Sequence, residues 1–244
     1  MFSYVSGVID GVVIENVSFS STDYSANMGG FAIYNKGTIK NCYLKGTNTI
    51  SQSISRTQTA SWPSYDGSKV TYKNVFGGLC AINEGKISNC TIDSSFSSTF
   101  SNKNYFQINL GLGSLFPPIG AEMYESICES TIYFGGVCGE NKGTITNCIV
   151  TNADASKISV VADFDKYGSS YAITNAYIGS IVGVNSKNVS NCSAKSSTVV
   201  ENVGSTSTNG NSGGQHPKLN LYMDNKYRGI VGKNNGTVDN TLYN

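Results

Sequence analysis

The stretch Gly135-Gly136-Val137-Cys138-Gly139-Glu140-Asn141-Lys142-Gly143-Thr144-Ile145-Thr146-Asn147-Cys148 decides the fold, because it comes back without gaps as Gly77-Gly78-Leu79-Cys80-Ala81-Ile82-Asn83-Glu84-Gly85-Lys86-Ile87-Ser88-Asn89-Cys90. An earlier copy runs from Gly29 to Cys42 and a later one from Gly179 to Cys192. A fifth begins at Gly229 and ends Gly236-Thr237-Val238-Asp239-Asn240-Thr241. A worn copy opens the chain, with Val13-Ile14-Glu15-Asn16-Val17 in place of the Ile-x-Asn-Cys step. A single short unit cannot bury its own apolar face, whereas stacked units bury a continuous one. The repeat therefore predicts an all-β chain, a β-solenoid whose coils stack about 4.8 Å apart.

Each repeat position has a physical reason. The Gly-Gly pair opens a strand where a side chain has little room or where φ must be positive. The next apolar residue (Phe31, Leu79, Val137, Ile181, Ile230) points into the core. Asn-x-Gly makes a turn, since both residues tolerate the left-handed region. A β-branched residue (Ile39, Ile87, Ile145, Val189, Val238) again faces inward, and two residues later comes a recurring asparagine. That asparagine, at 41, 89, 147, 191 and 240, is expected at a bend, buried, with its amide bonded to its equivalent in the next coil. The bend lets the adjacent Cys42, Cys90, Cys148 or Cys192 also face inward, which strict alternation forbids. In the fourth copy Lys187 replaces the turn glycine and Ser180 the second glycine, so that turn is expected to be strained or reshaped.

Counting Asn16, the first interval is 25 residues, which suits one coil, and the later ones are 48, 58, 44 and 49. Each later repeat is either one coil with a long extruded loop or two coils of which one keeps the signature. The 58-residue interval favours the former, and the others leave the two open. Residues 1–244 read as one domain of about five repeats, part of a longer or an assembling protein, because open terminal coils need a neighbour.

The motif Gly-Gly-Val-Cys-Gly-Glu-Asn-Lys-Gly-Thr-Ile-Thr-Asn-Cys resembles the GLUG repeat of bacterial surface proteins, including streptococcal IgA-peptidase-type proteins and filamentous-haemagglutinin-like adhesins. The resemblance implies a right-handed parallel β-helix that serves as a stalk or adhesive segment. It carries over no catalytic residue.

Composition narrows the function classes. Only 14% of residues are charged, the net charge is +1, and the polar character comes instead from 27 asparagines with serine and threonine. No basic face for nucleic acid is legible, nor an apolar run of the roughly 20 residues a membrane span needs. Met1-Phe2-Ser3-Tyr4 opens no legible signal peptide. The partners expected are a host or surface protein or glycan, or copies of the chain itself end to end, at an extracellular or cell-surface location.

Seven cysteines are present, and four of them (42, 90, 148, 192) share one repeat position while two (80, 138) share another. Cysteines fixed by repeat register read first as small core hydrophobes. Disulfides Cys80–Cys90 or Cys138–Cys148 across one coil are the rival. No Cys-x-x-Cys exists, so neither a metal site nor any cofactor is expected. The lone His216 lies in a loop-like stretch. Asp163 and Asp165 flank Phe164 and would share a strand face, without a second carboxylate pair to make a glycosidase or lyase centre. A carbohydrate-active or phage receptor-binding β-helix stays as the alternative to a non-catalytic adhesin or scaffold, as does a filament subunit. Sequons occur at Asn16, Asn89, Asn188, Asn191 and Asn235, but three coincide with the bend asparagine, and glycosylation is not inferred.

Binding is expected on four insertions, residues 45–72, 94–130, 152–178 and 196–222. Trp62 and Tyr65 in the first, and Tyr105, Phe106 and Phe116 in the second, are the candidate contact residues, since exposed aromatic rings suit sugar stacking and protein contacts.

Overall fold

A computed structural model describes residues 1–61, 68–109, 125–151, 157–164, 169–195, 199–202, 218–222 and 229–243. Every strand pairing among these is parallel, and no helix occurs among them. The chain makes six passes. The first comprises β1 (Phe2–Val5), β2 (Val8–Asp10), β3 (Val13–Glu15), β4 (Ser18–Ser21) and β5 (Asn27–Gly29). The second comprises β6 (Ala32–Asn35), β7 (Thr38–Lys40), β8 (Tyr43–Ser61) and β9 (Ser68–Gly77). The third has β10 (Cys80–Asn83), β11 (Lys86–Ser88), β12 (Thr91–Asn109) and β13 (Glu125–Gly135). The fourth has β14 (Cys138–Asn141), β15 (Thr144–Thr146), β16 (Ile149–Val150), β17 (Lys157–Phe164) and β18 (Ser169–Gly179). The fifth has β19 (Val182–Asn185), β20 (Asn188–Ser190), β21 (Ser193–Ala194), β22 (Val199–Asn202) and β23 (Lys218–Tyr222), and the sixth β24 (Val231–Asn234), β25 (Thr237–Asp239) and β26 (Leu242–Tyr243).

Successive passes add strands to the same four sheets. The first sheet is β1-β6-β10-β14-β19-β24 and the second β2-β7-β11-β15-β20-β25. An outgoing sheet of nine strands is built around β8, β12 and β17, and a returning sheet runs β23-β18-β13-β9-β5. This connectivity is compatible with a β-helix. Each repeat contributes one strand to the first sheet and one to the second, so of the two alternatives open in the sequence the one-pass arrangement holds.

Register puts like residues above like. Ile9, Ile39, Ile87, Ile145, Val189 and Val238 form one column through the second sheet. Ala32, Cys80, Cys138, Val182 and Val231 form another through the first. Both belong to one core cluster with Phe31, Leu79, Val137, Ile181 and Ile230. Burying each such side chain contributes about 1.5–3 kcal/mol, which a lone coil could not collect.

Where the insertions are described they are strands and not extruded loops. Residues 45–61 and 94–109 lie in β8 and β12, which pair in parallel from Tyr43–Thr91 to Ser61–Asn109. The pairing breaks only around Ser97–Thr99, where Ser98 Oγ accepts from Ile50 N at 3.0 Å and Ser51 Oγ from Thr99 N at 3.1 Å. The physical reason is alternation: Ile50 and Ile54, and Phe96 and Phe100, face inward between serine, threonine and asparagine. Outgoing and returning sheets pack on each other there. Phe100 of β12 stacks on Phe76 of β9 at 4.7 Å between ring centroids, and Phe96 meets Phe134 of β13 edge-on at 5.2 Å. Gln52 Nε2 donates to Asn74 Oδ1 at 2.7 Å across the same layer.

The glycines serve close approach more than left-handed turns. A Cβ on Gly77 would come 2.7 Å from Cys138 Cα, and one on Gly139 2.6 Å from Val75 Cγ1. The Gly-Gly corner thus folds the returning strand tightly onto the first sheet, and among the described residues of the five repeat blocks only Gly229 is a glycine with positive φ, 76°. The Asn-x-Gly turn is likewise not left-handed. A Cβ at Gly85 would drive into the carbonyl oxygen of Gly37 in the preceding pass, and one at Gly143 into that of Gly85. Lys187 occupies this place in the fourth copy, and the next link, Asn188 N to Gly143 O, lengthens to 3.3 Å from the 2.9 Å of Thr144 N to Gly85 O.

Candidate binding surface and the side-chain columns

Among the described non-glycine residues, positive φ is confined to Asn16, Asn41, Asn89, Asn147, Asn191 and Asn240, at 45–56°; register corrects the place of Asn16, which stands beside Gly46, while Gly11 (φ 68°) takes the Asn41 position in the first pass. Their bend turns the following residue inward: Cys42, Cys90 and Cys148 are wholly buried and Cys192 nearly so. The asparagines themselves are exposed, which corrects the expectation of a buried amide column here. The left-handed bend aims the asparagine side chain out of the corner. Asn147 Nδ2 does reach Asn89 Oδ1 at 3.1 Å, while Asn41 Nδ2 donates to Asp10 Oδ1 at 2.8 Å and holds that carboxyl below its usual range, with Lys40 adding to the effect. The sequons at Asn16, Asn89 and Asn191 therefore stand on the surface.

The buried amide column is the other asparagine, that of Asn-x-Gly. Asn35, Asn83, Asn141 and Asn185 each donate Nδ2 to Oδ1 of the next pass at 2.8 Å, ending on Asn234. Asn35, Asn83, Asn141 and Asn185 are fully buried. The column stops at Asn35 because Val5 stands in its register in the first pass, and Asn35 Oδ1 has no hydrogen-bond partner. The signal was available in the sequence: the asparagine is present in all five full copies, whereas the turn geometry assigned to it needed only some of them.

Cys42, Cys80, Cys90, Cys138, Cys148 and Cys192 are free thiols. In one column Cys148 N donates to Cys192 Sγ at 3.4 Å, and each thiol donates to the carbonyl two residues earlier, at 3.1 Å for Cys42 to Lys40 and 3.4 Å for Cys90 to Ser88. Thr241 makes the same bond from its hydroxyl to Asp239 O at 3.0 Å. Hydrogen bonds with Cys192 and Cys90, and then burial, push the Cys148 thiol well up, and those bonds hold Cys90 and Cys192 below the ordinary thiol value. In the second column Cys80 and Cys138 are register partners, and burial, with Cys80 beside it, pushes Cys138 well up.

The outer face of the returning sheet carries a row of aromatic and cationic groups. Tyr133, Tyr177 and Tyr222 are register partners in β13, β18 and β23. Tyr177 stacks on Tyr222 at 4.5 Å and meets Tyr133 edge-on at 5.5 Å. Lys73 Nζ lies 4.6 Å from the Tyr133 ring centre and Lys233 Nζ 5.5 Å from that of Tyr177. Lys73 also pairs at 2.8 Å with the nearly buried Glu140, which Lys142 approaches at 3.3 Å. Beneath the strip, Val75, Ala81 and Ile82 form a small second core against which Ile33 and Tyr133 pack. Burial raises Tyr133 and Tyr177 above the ordinary phenol value. The strip offers ring edges, hydroxyls and ammonium groups in a row one strand apart, suited to an extended polar partner.

Of the aromatic residues singled out in the sequence, Tyr105 and Phe106 lie in β12 opposite Thr57 and Gln58, in a strand and not a loop. Trp62, Tyr65 and Phe116 lie outside the described residues, as do Asp165 and His216. Asp163 lies in β17 opposite Lys103 of β12. No cluster of three or more His, Cys, Asp or Glu able to hold a metal ion occurs among the described residues. No helix among them is long and apolar enough to cross a membrane. The chain matches no family model, no curated protein and no solved structure.

Proposed function

We propose that the chain is a right-handed β-solenoid of an extracellular or cell-surface protein, a GLUG-type repeat that acts without catalysis in adhesion or as a scaffold. The observation that carries this reading is the tyrosine–lysine strip of Tyr133, Tyr177, Tyr222, Lys73 and Lys233 on the outside of a stack of sheets held by its own buried columns. A rigid parallel stack presents such groups at fixed spacing, which lowers the ordering cost of binding.

The test is binding of the purified chain to panels of immobilised glycans and surface glycoproteins, while released reducing or unsaturated sugar ends are assayed. Binding that falls at least tenfold in Tyr177→Ala and Lys233→Ala, with no sugar release, supports the reading. Release of sugar ends sinks it in favour of a lyase or hydrolase.

A filament subunit is the second reading. The outer edge of the first pass has no partner strand among the described residues, and Phe2, Tyr4, Val8 and Val13 on it are each at least 50% exposed. An exposed apolar edge pairs readily with a further strand, which in the filament reading a second copy supplies. Rods in negative stain and a mass that climbs with concentration in light scattering would support it, and a concentration-independent monomer would exclude it.

A further inference from the structure

The cysteine columns run along the stack and not around a pass. Thr91 N bonds Cys42 O, Ile149 N bonds Cys90 O and Ser193 N bonds Cys148 O, each at 2.9 Å, so the cysteines of consecutive passes sit on adjacent parallel backbones. The thiol neighbours of Cys148 are Cys90 and Cys192, and the thiol neighbour of Cys138 is Cys80. Thiol-to-thiol contact therefore joins neighbouring passes, whereas Cys80–Cys90 and Cys138–Cys148, the pairs suggested by spacing within one pass, belong to different columns. Adjacent strands put these Cα atoms about 4.8 Å apart, inside the roughly 4.4–6.8 Å window a disulfide needs.

We propose that the columns are sites of disulfide formation between passes, closing as Cys42–Cys90, Cys148–Cys192 and Cys80–Cys138 when the protein meets an oxidising environment. Each closure takes two protons and two electrons from a thiol pair. With glutathione disulfide as oxidant, the protein S–S bond forms, the glutathione S–S bond breaks and two molecules of glutathione leave. Each bridge ties two passes that the backbone connects only through 44–58 residues, and so removes freedom from the unfolded chain. The proposal deepens the surface-protein reading, since free thiols are uncommon outside the cell, yet it stands or falls separately from ligand binding.

The experiment refolds the reduced full chain in the presence of glutathione disulfide, so that the thiols are accessible before they are buried, then blocks residual thiols and maps disulfide-linked peptides by mass spectrometry. Links 42–90, 148–192 and 80–138 are expected, with 90–148 as the one permitted alternative in its column, along with a higher denaturation midpoint that reductant reverses. In Cys192→Ser, whose thiol becomes a hydroxyl like that of Thr241 in the same column, the 148–192 link vanishes while 80–138 persists. Links 80–90 or 138–148 in place of these, or all six column thiols (42, 80, 90, 138, 148, 192) still free after prolonged oxidation, would overturn the proposal. Loss of binding in the glycan panel with inter-pass links intact would strike the adhesion reading alone.

Discussion

Asn83 Nδ2 donates to Asn141 Oδ1 at 2.8 Å with both side chains completely buried, and the same bond repeats from Asn35 to Asn234. A buried amide satisfied on both sides rigidifies a core, and one stripped of its partner is costly. Asn83→Ala leaves Asn141 Oδ1 with Gly143 N alone and Asn35 Nδ2 with Lys86 O alone, and is expected to destabilise the chain by about 1–3 kcal/mol. Urea unfolding measures it. Val5→Asn, which extends the column to the unpartnered Asn35 Oδ1, is expected to stay within about 1 kcal/mol of the parent; a larger loss would mean the column is incidental.

The left-handed corner at Asn89, φ 54°, separates two substitutions of similar size. Asn89→Ala forces a Cβ residue without a local hydrogen bond into that region, at a cost of about 1–2 kcal/mol. Asn89→Gly adopts it freely and is expected to be nearly neutral. Equal effects in thermal unfolding would show that the corner conformation is not what selects asparagine.

Phe100 ties the outgoing sheet to the returning one through its stack on Phe76. Phe100→Ala opens a cavity in a wholly buried site and is expected to cost about 3–5 kcal/mol. Differential scanning calorimetry gives the loss, and a shift of a few tenths would mean that the two sheets do not share a core.

Alkaline pH is expected to weaken the fold through Cys138. Burial raises its folded-state value far above that of the unfolded thiol, about 8.5, so below that value both states are protonated and stability is full. As pH rises past it, the unfolded chain releases a proton that the folded chain keeps, and stability falls until the folded value is reached. Cys138→Val removes Cys138's share of this slope and leaves that of the likewise raised Cys148, at small cost near neutrality, since Val182 and Val231 hold the same column position. Unfolding midpoints from pH 7 to 10 for parent and variant provide the comparison.

The repeat made the parallel stack legible, because five copies of one pattern fix which residues lie above one another. The stretches between copies were harder to read. Thr49-Ile50-Ser51-Gln52-Ser53-Ile54-Ser55 carries the alternation of a strand, but its serines and threonines read as a loop, and only pairing with β12 gives its two isoleucines a core to enter. The two asparagines of the repeat were exchanged in role for a related reason. Sequence shows that both recur, but whether an amide faces inward depends on the sign of φ at Asn41 and not at Asn35. The tyrosine strip was hidden because Tyr133, Tyr177 and Tyr222 lie outside the repeated motif, among 15 tyrosines, and register is what brings them into one row.

The central claim is that each repeat is one pass, so that Thr38, Lys86, Thr144, Asn188 and Thr237 lie in one row across the second sheet. Spin labels introduced through unnatural amino acids at 38 and 237, measured by double electron–electron resonance, test it directly. Four strand spacings predict a backbone separation of about 19 Å, broadened by the label arms. A distance near twice that, about 38 Å, would mean two coils per repeat and would contradict the account.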